Sequence, residues 1–213
     1  MTLTINPVNQ LKGECRVPGD KSISHRALIL SSLARGKSKI QGLLEGEDCL
    51  HTLQAMQRLG VQIDRHSPGD FTVRGQGLQG LQEPEDILEC GNSGTCFRLL
   101  SGLLAGNNFY SVLTGDDSLR GRPMDRIIKP LTEMGARIWA RQQKYAPLSF
   151  RGHHLQGIEY DLPVASAQVK SCLLLAGLYT EEKVVLTEPG PSRDHTERML
   201  KKSGIELEIE GRT

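Results

Sequence analysis

Residues 17–28 read Val17-Pro18-Gly19-Asp20-Lys21-Ser22-Ile23-Ser24-His25-Arg26-Ala27-Leu28. Pro18-Gly19-Asp20 is a turn signal. Ser22 or Ser24 suits the cap of the helix that the apolar run Ala27 to Leu33 then builds. A helix start presents free backbone N–H groups and the positive end of the macrodipole, both of which attract anions. This one also carries two hydroxyls, Lys21, His25 and Arg26. Lysine adds a compact charge, and arginine a planar fork that fits a phosphate or a carboxylate. The stretch reads as a site for a phosphorylated, acidic small molecule, or as an ordinary capped helix with solvated charges.

The same arrangement occurs three times, which favours the shared anion site. Leu11-Lys12-Gly13, Leu78-Gln79-Gly80 and Leu155-Gln156-Gly157 each precede a short strand-like piece. Each is followed by a small, polar helix start: Lys21 to Ser24, Gly91 to Thr95, and Ala165 to Gln168. Apolar helices follow, then strands rich in β-branched residues (SKIQGLL, YSVLTG and KVVLTE), then a polar turn. A second helix runs to Gly60, Gly135 or Gly204, where glycine suits a C-cap. A strand leaves each glycine: VQIDR, ARIWA and IELEI. The unit is β-α-β-α-β-β, repeated over about residues 13–77, 78–154 and 155–213. Such a unit buries its apolar face only by packing helices on sheets. The expected fold is an α/β lobe of quasi-threefold form, with the three polar helix starts directed at one region. After Gly60 the chain runs 18 residues to the next Leu-Gln-Gly anchor, and after Gly135 it runs 20, but only nine follow Gly204. The third repeat is therefore expected to be incomplete, as in a truncated or split chain.

Composition narrows the function. The 213 residues hold 26 basic and 25 acidic side chains, without the basic excess of a general nucleic-acid binder. Aromatic content is 4%, too little for a base-stacking platform. No apolar run approaches a membrane span, and MTLTINPVNQ has no signal-peptide core, so a cytoplasmic setting is expected. The cysteines at 15, 49, 90, 96 and 172 form no CxxC pair, which argues against zinc and for reduced thiols.

The first unit offers Lys21, Ser22 and Arg26, with His25 beside them. The second offers Asn92, Ser93, Gly94, Thr95 and Arg98. Gly94 admits close approach of a ligand to the backbone, or is a glycine of purely conformational use. Arg98 reads as a brace for a neighbouring loop. In Asp116 to Pro123, the proline suits the first position of a helix and places Arg122 at its start as a carboxylate clamp. The third unit offers Ser166, Gln168 and Lys170, then Ser192, Arg193, Asp194 and His195. Ser192 reads as an N-cap with Glu197 further in, and Lys170 as a surface lysine. No nucleophile stands out: Cys90 and Cys96 read as small buried thiols. The acidic pairs Glu47-Asp48 and Asp116-Asp117 read as helix caps.

PGDKSISHRAL, ECGNSGTCFRLL, LTGDDSLRGRPM, PVASAQVKSCLLLAGL and EPGPSRDHTERML, in this order, span essentially the whole chain. Together they resemble the N-terminal half of the 5-enolpyruvylshikimate-3-phosphate synthase family, the 3-phosphoshikimate 1-carboxyvinyltransferases of the shikimate pathway. The resemblance implies an inside-out α/β barrel lobe of three βαβαββ repeats. Residues 13–213 would form that N-terminal substrate-binding lobe, and a strand in residues 1–12 would belong to a second lobe. It implies that Lys21, Ser22, Arg26, Ser166, Gln168, Ser192 and Arg193 hold shikimate 3-phosphate. Lys21, Gly94, Arg122 and Gln168 would contact phosphoenolpyruvate, with Lys21 catalytic and no cofactor or metal. Ala167 stands where some relatives carry a second serine, so one hydrogen bond to the phosphate would be missing. Lys170, Arg193 and His195 fit the branch written ASAQVKS and PSRDHT. The implied reaction moves the enolpyruvyl group to the 5-hydroxyl and releases phosphate. It needs protonation of the methylene carbon, loss of the hydroxyl proton and cations around the phosphates. The family's acidic residues for those steps lie mostly in the second lobe. This chain is thus expected to be inactive without its C-terminal partner, and the non-catalytic alternative is a binding lobe that needs a separate C-terminal half. The sister UDP-N-acetylglucosamine enolpyruvyl transferases use a cysteine in the loop equivalent to 115–123, and this chain has none there.

Overall fold

The computed structural model describes residues 3–211. Met1, Thr2, Arg212 and Thr213 lie outside the described residues, so the expected spans 1–12 and 155–213 each run past them. The first third of the chain contains helix α1 (Lys21–Leu33), strand β1 (Arg35–Ile40), α2 (Glu47–Arg58), β2 (Gln62–Ser67) and β3 (Asp70–Gln76). The middle third contains β4 (Leu88–Glu89), α3 (Gly94–Ala105), β5 (Tyr110–Thr114), α4 (Asp117–Arg120), α5 (Asp125–Glu133), β6 (Arg137–Arg141) and β7 (Tyr145–Arg151). The last contains β8 (Ile158–Asp161), α6 (Ala167–Gly177), β9 (Val184–Thr187) and α7 (His195–Lys202). The fold is α/β. The sheets have strand orders β1-β3-β2, β4-β5-β7-β6 and β8-β9, with β4-β5 and β8-β9 parallel and the other pairs antiparallel.

The order β-α-β-α-β-β is complete only in the middle third, where the one-turn α4 is an addition. Two expected strands are absent. Residues 3–20 carry no strand and are almost wholly exposed. Along β1 only Ile40 is buried, so a strand laid on its free edge would bury little. Ile205 to Ile209 also form no strand. The reason lies in the pairing: β2 and β6 bond only to β3 and β7, the strands that return from their hairpins. Among the described residues the last third has no returning strand for Ile205 to Ile209 to meet.

The glycine signal is met in all three places. Gly60, Gly135 and Gly204 have φ of +87°, +92° and +83°, values that favour glycine. The next residue of each donates its N–H five residues back: Val61 to Met56, Ala136 to Leu131 and Ile205 to Leu200. This is the Schellman end of a helix, made three times.

The core is apolar, drawn from helices and strands alike, with α3 at its centre. Ten of the 12 residues of α3 are buried, including Phe97, Leu99, Leu100, Leu103 and Leu104. Cys172, Leu173, Leu175 and Ala176 of α6 pack against it, and α1 contributes Leu28 and Ile29. The approach of α3 to α6 is close enough that a Cβ on Gly102 would lie 2.0 Å from the carbonyl oxygen of Cys172. No described helix is long and apolar enough to cross a membrane. Cys49, Cys90, Cys96 and Cys172 are buried free thiols. Gly102→Ala must push α3 from α6 by backbone movement, and it should cost about 1–3 kcal/mol in urea unfolding. An unchanged midpoint would show that the two helices can part freely.

Candidate functional site

The site begins at three helix starts. Asp20, not Ser22 or Ser24, caps α1: its Oδ1 accepts the Ile23 N–H at 2.8 Å. The cap falls two or four residues earlier than expected, which leaves both serine hydroxyls free for other work. Ser24 accepts the N–H of Leu44 at 2.9 Å, and Ser22 Oγ accepts from Arg193 Nη1 at 2.8 Å. Ser93 caps α3 and Ser166 caps α6, through the N–H groups of Cys96 and Val169. Asp116 caps α4, as expected for that pair. Asp48 instead lies in the first turn of α2 and forms an ion pair with Lys21.

Two groups of cations form around these starts. In the first, Arg26 is buried and donates from Nε to Thr196 Oγ1 at 2.5 Å, from Nη1 to the Ser22 carbonyl at 2.9 Å and from Nη2 to Ser171 Oγ at 2.6 Å. Three of its five N–H groups are thus used, all on neutral acceptors. Burial, and then neighbouring Arg193, hold its pKa below the ordinary arginine value. Beside this group lies an open cleft of about 630 Å³ lined by Ala165, Ser166, Ala167, Gln168, Pro191, Ser192 and Arg193. Ser166, Gln168, Ser192 and Arg193 are therefore brought together, and Arg193 joins them to Ser22.

The second group is Arg98 and Arg122 beside Gly94. Arg98 Nη1 donates to Gln168 Oε1 at 2.9 Å and to the Gly94 carbonyl at 3.3 Å, the bracing role read from the sequence. Gln168 Nε2 donates to Thr95 Oγ1 at 2.9 Å, so the starts of α3 and α6 are tied. Arg122 does not start a helix: α5 begins at Asp125, two residues after Pro123. Its guanidinium instead holds Asn92, through Oδ1 and through the carbonyl at 3.3 Å, and Ser118 Oγ at 3.1 Å. Burial, and next to it Arg122, lower the pKa of Arg98. A Cβ on Gly94 would lie 2.7 Å from Arg98 Nη1 and 3.5 Å from Arg122 Nη1. Neither arginine has an ion-pair partner among the described residues. Lys21, Gly94 and Arg122 lie outside the lining of the cleft.

Four further readings need correction. Ser192 is not an N-cap, because α7 starts three residues later; its Oγ donates to Glu188 Oε2 at 2.9 Å. Lys170 is not on the surface: its ammonium lies 2.5 Å from Glu188 Oε2 and 2.6 Å from Glu197 Oε1, all three side chains nearly enclosed. Burial lowers its pKa, but hydrogen bonds to the two carboxylates outweigh that and leave it above the usual lysine value. His25 is fully buried and faces Thr52 Oγ1 at 2.7 Å, with Nε2 unpartnered, so it does not serve the cleft. Burial brings its pKa down to about 4. The acidic pair Glu47-Asp48 provides no side-chain cap. The buried thiols fit the plainer reading, and burial and then Cys96 push the Cys90 thiol well up. Sequence reasoning missed Glu188, Ser171 and Thr196. Each comes from a different element, and no local pattern announces their meeting with Arg26 or Lys170.

A family model described as EPSP synthase (3-phosphoshikimate 1-carboxyvinyltransferase) matches residues 5–213. The chain belongs to the EPSP synthase family. It is 54% identical over 206 residues to the 3-phosphoshikimate 1-carboxyvinyltransferase of Citrifermentans bemidjiense, covering 96% of this chain and 48% of that relative. It is 55% identical over 213 residues to the enzyme of that name from Alkalilimnicola ehrlichii, covering 100% and 48%. A solved EPSP synthase from Acinetobacter baumannii superposes with a TM-score of 0.91 at 51% identity, over 93% of this chain and 45% of that one. The chain spans about half the length of the relatives it matches.

The buried, neutral His25 gives this EPSP synthase family member a pH-dependent stability. The unfolded imidazole takes up a proton near pH 6.5, the folded one only near about 4. Between those values the unfolded chain binds more protons, so stability falls as pH falls, by about 3 kcal/mol in total at the lower end. Urea midpoints at pH 7, 5.5 and 4.5 should decline less steeply in His25→Gln. Equal slopes in the two proteins would assign the acid sensitivity to other groups.

Proposed function

We propose that this chain is the substrate-binding lobe for enolpyruvyl transfer from phosphoenolpyruvate to the 5-hydroxyl of shikimate 3-phosphate, with release of phosphate. The observation that carries the reading is Gln168. It lines the cleft beside Ser166, Ser192 and Arg193, and its amide is held by Arg98 of the second cationic group. One residue therefore touches two neighbouring regions of surplus positive charge, as two anionic substrates side by side require. The relatives' name, 3-phosphoshikimate 1-carboxyvinyltransferase, supports the same assignment. In this reading Ser22, Arg26, Ser166, Ser192 and Arg193 bind shikimate 3-phosphate. Gly94 and Arg122 face phosphoenolpyruvate, and Gln168 serves both. Lys21, an ammonium paired with Asp48, supplies positive charge to both anions as charge moves in the transition state.

The finer architecture belongs to the same proposal. Residues 13–213 would be an inside-out α/β barrel lobe of three βαβαββ repeats, the third incomplete, with residues 1–12 contributing to a second lobe. The three recurring Schellman ends support it. Acid–base groups for proton transfer would come from residues the relatives have beyond the half matched here. Ground-state binding of two anions alone lowers no barrier.

Calorimetry with shikimate 3-phosphate tests the binding half of the proposal. Arg193 is exposed, so Arg193→Ala should leave folding intact and weaken binding by about 1.5–3 kcal/mol, the worth of a hydrogen bond to a charged group. Unchanged affinity would remove it from the site. Phosphate release from the two substrates tests the other half. The 213-residue chain should show none, and a separately expressed C-terminal half should restore some. Turnover by the chain alone, abolished by Lys21→Ala, would overturn the division of labour.

A further inference from the structure

Lys170, Glu188 and Glu197 form a buried charge cluster behind the cleft, and no substrate-binding role above uses it. Glu188 follows β9 and its side chain is 2% exposed. Its Oε1 accepts the backbone N–H of Ser166 at 3.2 Å. Its Oε2 accepts the hydroxyl of Ser192 at 2.9 Å and the ammonium of Lys170 at 2.5 Å. Ser166 stands at the start of α6 and Ser192 in the loop before α7, and both line the cleft. One carboxylate thus spans two walls of the cleft. Lys170 then reaches Glu197 of α7 at 2.6 Å, one residue from the Thr196 that receives Arg26 Nε.

The charge count explains the lysine. Two carboxylates buried without compensation would take up protons or leave the interior. One ammonium within hydrogen-bond distance of both supplies that compensation, and the two carboxylate oxygens of Glu188 accept three donors between them. The Ser192 hydroxyl is thereby held in place at the wall of the cleft.

We propose that Glu188 is a positioning residue: it fixes Ser166 and Ser192 on the two walls of the cleft, with Lys170 as its buried counter-charge. The positioning stands on the geometry alone. Its consequence for shikimate 3-phosphate rests on the function proposed above.

Two substitutions separate positioning from charge balance. Glu188→Asp keeps the carboxylate for Lys170 but shortens its reach by about 1.5 Å, one carbon–carbon bond. Glu188→Gln keeps the shape but turns an amide N–H₂ or a neutral oxygen toward Lys170 and Ser192. Amide hydrogen exchange on the ligand-free chain reads the first effect. Exchange at Ser166 should speed up at least about tenfold in Glu188→Asp, with α3 unchanged and the melting temperature near that of wild type, because an amide without its acceptor opens more freely. Shikimate 3-phosphate titrations read the second. Glu188→Asp and Ser192→Ala should each weaken binding several-fold, and the double variant no more than Glu188→Asp alone, since residues acting through one contact are not additive. If Glu188→Asp matches wild type in both readouts while Glu188→Gln does not, Glu188 is only a counter-charge and the proposal fails. It fails also if the two losses multiply. If Glu188→Gln does not fold, Glu188→Asp decides alone. If wild type binds no shikimate 3-phosphate, the proposed function falls, and exchange at Ser166 still decides the positioning.

Discussion

The contact of α3 with α6 governs the rest. Both helices are buried over most of their length, and Gly102 lets the backbone of one rest on the carbonyl of Cys172 in the other. Packing this tight leaves little freedom in their relative height. Their starts are therefore level enough for the Gln168 amide to span to Thr95 and Arg98. A longer side chain at position 102 would lift one start from the other, and the two cationic groups would lose the residue they share. Function at the helix starts is thus set by volume in the middle of the helices.

The two kinds of buried cation are treated in opposite ways. Lys170 is matched by two carboxylates, so its charge is spent inside the protein. Arg26 is matched by a carbonyl and two hydroxyls, which satisfy its N–H groups without cancelling its charge. The hydrogen count is consistent: Ser171 donates to the Ala167 carbonyl, so Thr196 supplies the hydrogen between the two hydroxyls. A guanidinium held this way keeps its full attraction for an anion and cannot swing away. The cost is desolvation, visible in its lowered pKa.

Much of this was legible in the sequence because it is local. A glycine after a Leu/Met-rich helix announces a left-handed end, and all three such ends formed. Small polar residues before an apolar run announce a helix start, though Asp20 took the cap from the serines because it lies at the turn itself. What could not be read depends on distant partners. Lys170 looks like any lysine on a helix until Glu188 arrives from just after β9 and Glu197 from α7. His25 sits beside Lys21 and Arg26 in sequence, but the helical turn sends it the other way, to Thr52. Strand patterns failed in the stretch after Gly13 and at Ile205 to Ile209, neither of which bonds a strand among the described residues. Alternation describes which face a strand would bury, not whether a neighbour is present to bond it.

Strand β9 pairs with β8 along one edge and has no strand on its other edge among the described residues. Val184, Val185 and Leu186 are only half-buried, and Ile205 and Ile209 nearby are 38% and 43% exposed. An open row of backbone N–H and C=O groups flanked by aliphatic side chains is a template for another strand. Two such edges, brought together, offer each other the bonds that neither makes alone, and a net charge of only +1 does little to keep them apart.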